Sequence, residues 1–173
     1  MPAAAPRTWI LTSSPDNHVA TAERGFSVIG VKERNRARAL QMEPGDRIVL
    51  YLTKVMRFAA AIRIAGELYE DREKIWPGGT AGVRQRGTAA RSPDAGGPGK
   101  VDAYPWRFAT EPELVLEEAS WLAAESVKDD LEHIRKWPPE HWKLAFQGQL
   151  RIVSDADAAL LMDRMHAAGG VPA

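Results

Sequence analysis

The chain has no cysteine, no excess charge of either sign and no long apolar run. Each absence removes a class of function. Without cysteine there are no disulfides and no thiolate ligands or nucleophiles, and a cytoplasmic site is expected. Lysine and arginine number 23, as do aspartate and glutamate, so bulk charge carries no nucleic-acid signature and any basic footprint must be local. The apolar stretches fall far short of the ~20 residues of a membrane-spanning helix, so no membrane partner is expected. The opening "MPAAAPRTWILTSSP" has no charged segment leading into an apolar core, and no secretory signal is expected. The 173 residues suit one domain with a real core.

What is present is a series of short alternating segments. "RTWILTS" reads as a strand with Trp9 and Leu11 on one face and Ile10 on the other. "SPDNHVATAERG" reads as a helix capped by Ser14, with Pro15 at its first position and Gly25 at its end. "FSVIGV" reads as a second strand, and "KERNRARALQM" as a helix before the turn "EPGD". "RIVLYLT" and "RFAAAIRIAGELY" alternate and predict an antiparallel hairpin around Lys54 to Met56. In the second of these, Phe58, Ala60, Ile62 and Ile64 share a parity. "YPWRFATEPELVLEE" predicts a long strand in which Trp106, Phe108, Leu114 and Leu116 share one parity and Arg107 faces out. Pro112 marks an edge or a bulge within it. Two short helices, a strand "QLRIVS" and a helix capped by Ser154 and stopped by Gly169 complete the chain. The pattern predicts an α+β fold, a small mixed sheet closing into a barrel with short helices at its periphery. Residues 1–6 are expected to form a tail and 7–168 one domain, with a flexible glycine-rich loop at 78–100.

Enzyme templates fail. There is no H-E-x-x-H and no G-x-S-x-G, and the four histidines are scattered. "GGPGKV" lacks the first glycine of a phosphate loop and has Val101 where serine or threonine belongs. No catalytic residue, cofactor or metal is expected. The cations Lys32, Arg34, Arg36 and Arg38 fall at spacings of two, which spread around a helix, so they read either as a solvated helix or as a contact for an anion. Arg84 and Arg86 in the loop read either as ordinary loop residues or as phosphate contacts. Of the six tryptophans, Trp9 reads as core, Trp121, Trp137 and Trp142 as helix packing, and Trp76 as potentially exposed.

In one order, these segments resemble the EVE-domain family, of the PUA-like superfamily that also includes YTH domains. "WILTSSPDN", "IGVKERNRARALQMEPGDRIVLYL", "AAIRIAGELYEDREKIWP", "YPWRF" and "LEHIRKWPPEHWKLAFQGQLRIVSDADAALL" carry the resemblance, from Arg7 to Met162 with the loop omitted. It implies a PUA-like pseudo-barrel with a pocket at one mouth, and a non-catalytic module that takes a flipped, modified base of DNA or RNA. Carried over by position, it implies nucleobase contacts from Ser13, Ser14, Asn17, Ile29, Gly30, Val31, Tyr104, Trp106, Phe146, Gln147 and Gly148. Lys32, Arg34, Arg107, Arg84 and Arg86 are the implied phosphate contacts. Many relatives carry a tryptophan beside the glycine–valine pair. Here Val28 and Ile29 stand there, which implies one aromatic wall fewer. A small-molecule pocket and a protein-interaction module are the alternative readings of the same fold.

Overall fold

The computed structural model describes residues 5–77 and 101–169, and the backbone of Val171 and Pro172. The loop expected at 78–100 therefore falls outside the described residues, and Arg84 and Arg86 with it.

Strand β1 (Thr8–Ser13) leads through Ser14 into helix α1 (Pro15–Glu23), where the Ser14 hydroxyl accepts from the Asn17 amide at 3.2 Å. The chain leaves α1 through Gly25 at φ +66° and enters β2 (Val28–Val31). The basic segment that follows forms only a 3₁₀ turn, Glu33–Asn35, and one turn of helix, α2 (Arg36–Ala39). It offers Ala39 alone to the core within α2, too little apolar surface to support a longer helix. Strands β3 (Arg47–Leu52) and β4 (Arg57–Ile64) make the expected hairpin, turning through Lys54 and Met56 at positive φ. The two-residue β5 (Tyr69–Glu70) and the long β6 (Trp106–Val115) come next. Then come β7 (Leu122–Ala123), α3 (Glu132–Arg135), a kinked 3₁₀ segment Pro139–Phe146, β8 (Leu150–Val153), α4 (Asp155–Ala167) and β9 (Val171–Pro172).

The described strands form one sheet in the order β2-β6-β4-β3-β1-β8, with β5 and β9 added to β6 and β7 to β4. Strands β1 and β3 run parallel, joined by the crossover through α1, β2 and α2, and the other pairings are antiparallel. The sheet curls so that its two ends approach. Gln149, just ahead of β8, spans the gap to β2: its side chain donates to the Gly30 carbonyl at 3.2 Å and accepts from the Lys32 amide at 2.8 Å. One side-chain amide thus substitutes for a ladder of backbone bonds, and the result is the expected mixed pseudo-barrel.

Both faces of the sheet are covered. The inner core holds Trp9, Leu11, Ile29, Val31, Ile48, Leu50, Ala60, Ile62, Phe108 and Leu150. The outer core, between sheet and helices, holds Ile10, Val49, Tyr51, Phe58, Leu114, Leu131, Phe146, Leu161 and Met165. Strands β1 and β3 follow their alternation, odd and even positions going to different cores. Two expected parities break, each at a bulge. In β4 the register slips at Ala59, so Phe58 goes to the outer core while Ala60 and Ile62 go to the inner. In β6 it slips between Pro112 and Leu114, so Phe108 is inner and Leu114 and Leu116 are outer. The extra residue, Glu113, turns to Arg47 in a two-pronged pair at 2.8 Å and to Arg63 at 3.0 Å. Pro112 does mark a bulge. Among the described residues no helix is long and apolar enough to cross a membrane.

Candidate functional site

The mouth of the barrel lies where the C-terminal end of β1, the N-terminal turn of α1, β2 and the segment before β6 converge. Its floor is Gly30. A Cβ there would stand 2.6 Å from the Trp76 ring and 2.7 Å from the Tyr104 Cβ, so glycine alone lets these two aromatics come down onto β2. The rings meet edge to face at 5.8 Å. Trp76, expected to be potentially exposed, is 3% exposed and donates its indole N–H to the Thr21 hydroxyl at 2.8 Å. A tryptophan therefore does stand against the glycine–valine strand, supplied by a different segment.

Both aromatics are set by one buried carboxylate. Asp102 accepts from the Ile75 and Trp76 amides at 2.7 and 2.8 Å through one oxygen, and from the Tyr104 amide at 2.8 Å through the other. Its charge is answered by Arg107, 3.8 Å away. Arg107 was expected to face out toward a phosphate. It is 1% exposed, donates to the carbonyls of Tyr104 and Glu73, lies beside Asp71 at 3.6 Å, and places its guanidinium over the Trp76 ring. Its cationic group is occupied inside the wall, because residues 69–73 and 102–105 fold back over β6 and cover it.

The site has two levels. An inner cavity of about 20 Å³ is lined by Ser13, Asn17, His18, Gly30, Trp76 and Tyr104 among others. That is room for one water. An outer basin of about 370 Å³ is lined by Ser14, Lys32, Arg34, Phe146, Gln147 and Gly148. Thr12, Ser13, Tyr104 and Gln149 line both, so the inner cavity adjoins the basin. Polar groups converge there. Asn17 donates to the Tyr104 hydroxyl at 3.0 Å, and the Lys32 ammonium sits over the Tyr104 ring at 5.5 Å. Burial raises the Tyr104 hydroxyl above its usual range, so it stays protonated at neutral pH. Burial, and then the charge of Arg34, hold the Lys32 ammonium below its usual range. His18 is buried, its titration lowered by that burial, and its Nδ1 has no hydrogen-bond partner among the described residues. The wall of the inner cavity thus includes an imidazole with hydrogen-bonding capacity to spare.

Most of the expected positions meet at the mouth. Ser13, Ser14, Asn17, Ile29, Gly30, Tyr104, Phe146, Gln147, Gly148, Lys32 and Arg34 line one level or the other. Phe146 is mainly a core residue, stacked on Tyr51 at 4.0 Å. Val31 and Trp106 line neither level. Val31 is fully buried in the inner core, and Trp106 pairs with it across β2 and β6. The Trp106 indole donates to Glu33 and lies under the Arg36 guanidinium at 4.6 Å, away from the mouth. Trp76, Asp102, His18 and Gln149 were not anticipated. Only Gln149 carried a signal, as the polar residue that follows Gly148 into a strand. Among the described residues no cluster of histidine and carboxylate groups is arranged to hold a metal.

Comparison with known proteins places this architecture. The sequence profile of the EVE domain matches residues 7–94, about half of the chain, from β1 through β5. No curated protein matches the sequence. Among solved structures, a hypothetical protein from Leishmania major is similar at 13% identity and a TM-score of 0.55, covering 94% of this chain and 96% of that one. The YTH domain of the Zygosaccharomyces rouxii MRB1 protein, in complex with N6-methyladenosine RNA, is similar at 12% identity and a TM-score of 0.59, covering 94% and 88%. A protein from Pseudomonas putida is similar at 14% identity and a TM-score of 0.54, covering 91% and 99%. At these identities the likeness is one of fold, and it agrees with the curled mixed sheet described above. On the family match across half its length, the chain belongs to the EVE domain family.

Proposed function

We propose that this protein is a non-catalytic nucleic-acid-binding module that captures a flipped, modified base of DNA or RNA at the barrel mouth. The observation that carries this reading is the adjacency of the inner cavity and the basin, which share Thr12, Ser13, Tyr104 and Gln149. A basin of about 370 Å³ is of the size that holds a small planar ligand. In this reading the base lies in the basin against Tyr104, and an exocyclic substituent enters the inner cavity beside Trp76. Ser13, Asn17 and the free nitrogen of His18 address its polar edge. Lys32 and Arg34 meet the adjoining phosphate.

The energies are of matching size. Extrusion of a base costs a few kcal/mol, and stacking on an aromatic ring returns about 1–3 kcal/mol. A methyl group removed from water adds about 0.8 kcal/mol, so the modification sharpens selection severalfold and does not create binding by itself. The complex of the MRB1 YTH domain makes N6-methyladenosine RNA the first probe.

Binding is to be measured by fluorescence anisotropy with single-stranded RNA and DNA, with and without a methylated base. Tyr104→Ala and Asn17→Ala are each expected to weaken binding of the modified oligonucleotide by roughly tenfold, equivalent to about 1.4 kcal/mol of stacking or hydrogen bonding. Unchanged affinity in both variants sinks the reading. A free modified nucleoside that binds as tightly as the oligonucleotide would instead identify a small-molecule site.

A further inference from the structure

A second cavity, of about 410 Å³, lies beside β8 and shares no lining residue with the mouth. Its charged lining is Arg38, Lys136 and Arg151, with His133 beside them and no carboxylate. In a chain of zero net charge that is a local excess. Among the described residues none of the three cations forms an ion pair. Two of them are nevertheless held in place by backbone oxygens. Arg38 donates one N–H to the Leu150 carbonyl at 2.6 Å, and Arg151 donates two to the Gln147 carbonyl at 3.0 and 2.7 Å. Each guanidinium has five N–H donors, so each retains donors for a ligand. Beside these cations lie Trp137, half-buried, and Ile152, half-exposed at the edge strand.

The two cavities meet at one turn. Gln147 and Gly148 line the mouth basin, and the arginine that clamps this turn, Arg151, lines the second cavity. Gly148, at φ +84°, lies close under the Arg151 guanidinium: a Cβ there would stand 3.3 Å from it. Gly148 and Arg151 thus join the mouth basin, which Lys32 and Arg34 line, to the cavity that Arg38 and Lys136 line.

We propose that this cavity is a second binding site, which holds the sugar–phosphate backbone of the same strand whose modified base enters the mouth, with a flanking base on Trp137. The inference rests on the mouth reading above and extends it. Three uncompensated cations fit the phosphates, and the indole and Ile152 fit a base or sugar face. An acidic peptide satisfies the cations equally but gains nothing from continuity with the mouth.

The test compares a trinucleotide with the modified base at its centre, which reaches the mouth alone, with a nonanucleotide, which reaches both. Lys136→Glu is suited to it, because this side chain is exposed and makes no hydrogen bond or ion pair among the described residues. It is expected to weaken nonanucleotide binding on the order of fivefold and to lower its salt slope by about 0.7, the share of one phosphate that no longer meets a cation. Trinucleotide affinity is expected not to change, and Lys136→Arg is expected to restore the nonanucleotide. Equal effects on both lengths, or none on either, overturn the second site. So does displacement of the nonanucleotide by an acidic peptide of equal charge with the mouth still occupied. A Tyr104→Ala arm separates the two readings. A nonanucleotide that responds to Tyr104→Ala alone removes the second site and leaves the mouth. One that responds to Lys136→Glu alone removes base capture and leaves the groove as a strand-binding surface. If the wild-type protein binds neither length at low salt, both readings fall.

Discussion

A methyl group at position 30 has no space to occupy, since Trp76 and Tyr104 already crowd the Cα. Gly30→Ala is expected to destabilise the fold by about 1–3 kcal/mol, the usual cost of overpacking. It is also expected to push the two aromatics off β2, so that oligonucleotide affinity falls with stability. Urea denaturation and anisotropy on the same sample check this, and an unperturbed variant would mean that the rings do not rest on Gly30. Asp102 is the other residue on which the mouth depends, and here charge matters more than shape. Asp102→Asn turns an amide group toward backbone N–H donors and removes the buried one of the two carboxylates beside Arg107, leaving Asp71 at 3.6 Å. A destabilisation of about 1–3 kcal/mol is expected, the cost of buried donors left without an acceptor. Arg107→Met in the same background is expected to return part of it, read as the coupling energy of a double-mutant cycle. Additive effects would show that the two charges do not act together. Neither Asp102 nor Trp76 was legible as a determinant of the site. Asp102 is a lone acid after a glycine-rich stretch, and Trp76 precedes it by 26 positions, so nothing local links them. The resemblance named Tyr104 and Gly30, and both line the inner cavity at the mouth. It misplaced Arg107, because outward parity on a strand does not reveal that another segment covers that face.

Among the elements, the longer strands and the helices α1 and α4 were legible, while the extent of the helix after β2 and the two-residue strands β7 and β9 were not. Alternation in β1 and β3 reported their two cores directly, since each face is covered and a one-residue error inverts it. The same rule failed past Ala59 and Glu113, where a bulge adds one residue and exchanges the faces. Pro112 announced the second bulge, while nothing in "RFAAAIRI" announced the first. The segment "KERNRARALQM" looked helical through its helix-forming residues, yet tertiary packing supports a single turn. Barrel closure depends on an element end in a similarly hidden way. Gln149 links β2 to β8 with no strand pairing between them, so Gln149→Ala leaves the Gly30 carbonyl and the Lys32 amide without their partners. Exchange at the Lys32 amide, followed by NMR, is expected to accelerate by roughly tenfold, about 1.4 kcal/mol for one hydrogen bond removed at a half-buried edge. The amides of β3, three strands away in the sheet, are expected to hold their rates. Uniform acceleration through the sheet would show that Gln149 supports global stability instead of closing one seam.

At the scale of the whole molecule, the buried histidines determine how the fold responds to acid. His18 and His133 both titrate below the ordinary imidazole value of 6.5. Burial is the main cause at each, and at His133 the Lys136 and Arg151 charges add to it, against a hydrogen bond to the Ala145 carbonyl and the charge of Asp157. The unfolded chain takes up protons near 6.5, and the folded chain does so only at lower pH. Between those values the unfolded state holds more protons, so stability falls as pH drops below 6.5 and is flat above it. Glu113 acts later. Burial alone would raise its carboxyl, but hydrogen bonds and charge from Arg47 and Arg63 prevail and hold it below 4.5. Its contribution is present above that value and is lost as pH falls through the depressed one. Urea midpoints measured across this range are therefore expected to show a plateau above neutrality, a decline that begins near 6.5, and a steeper one below 4.5. His18→Gln is expected to shrink the first decline to the share of His133 and to leave the second, while Glu113→Gln removes the second and leaves the first. A midpoint that stays constant between neutrality and pH 5, or a first decline unchanged by His18→Gln, would show that burial does not disfavour the charged form of His18. The ring would then not be the uncharged, unpartnered group that base recognition at this site calls for.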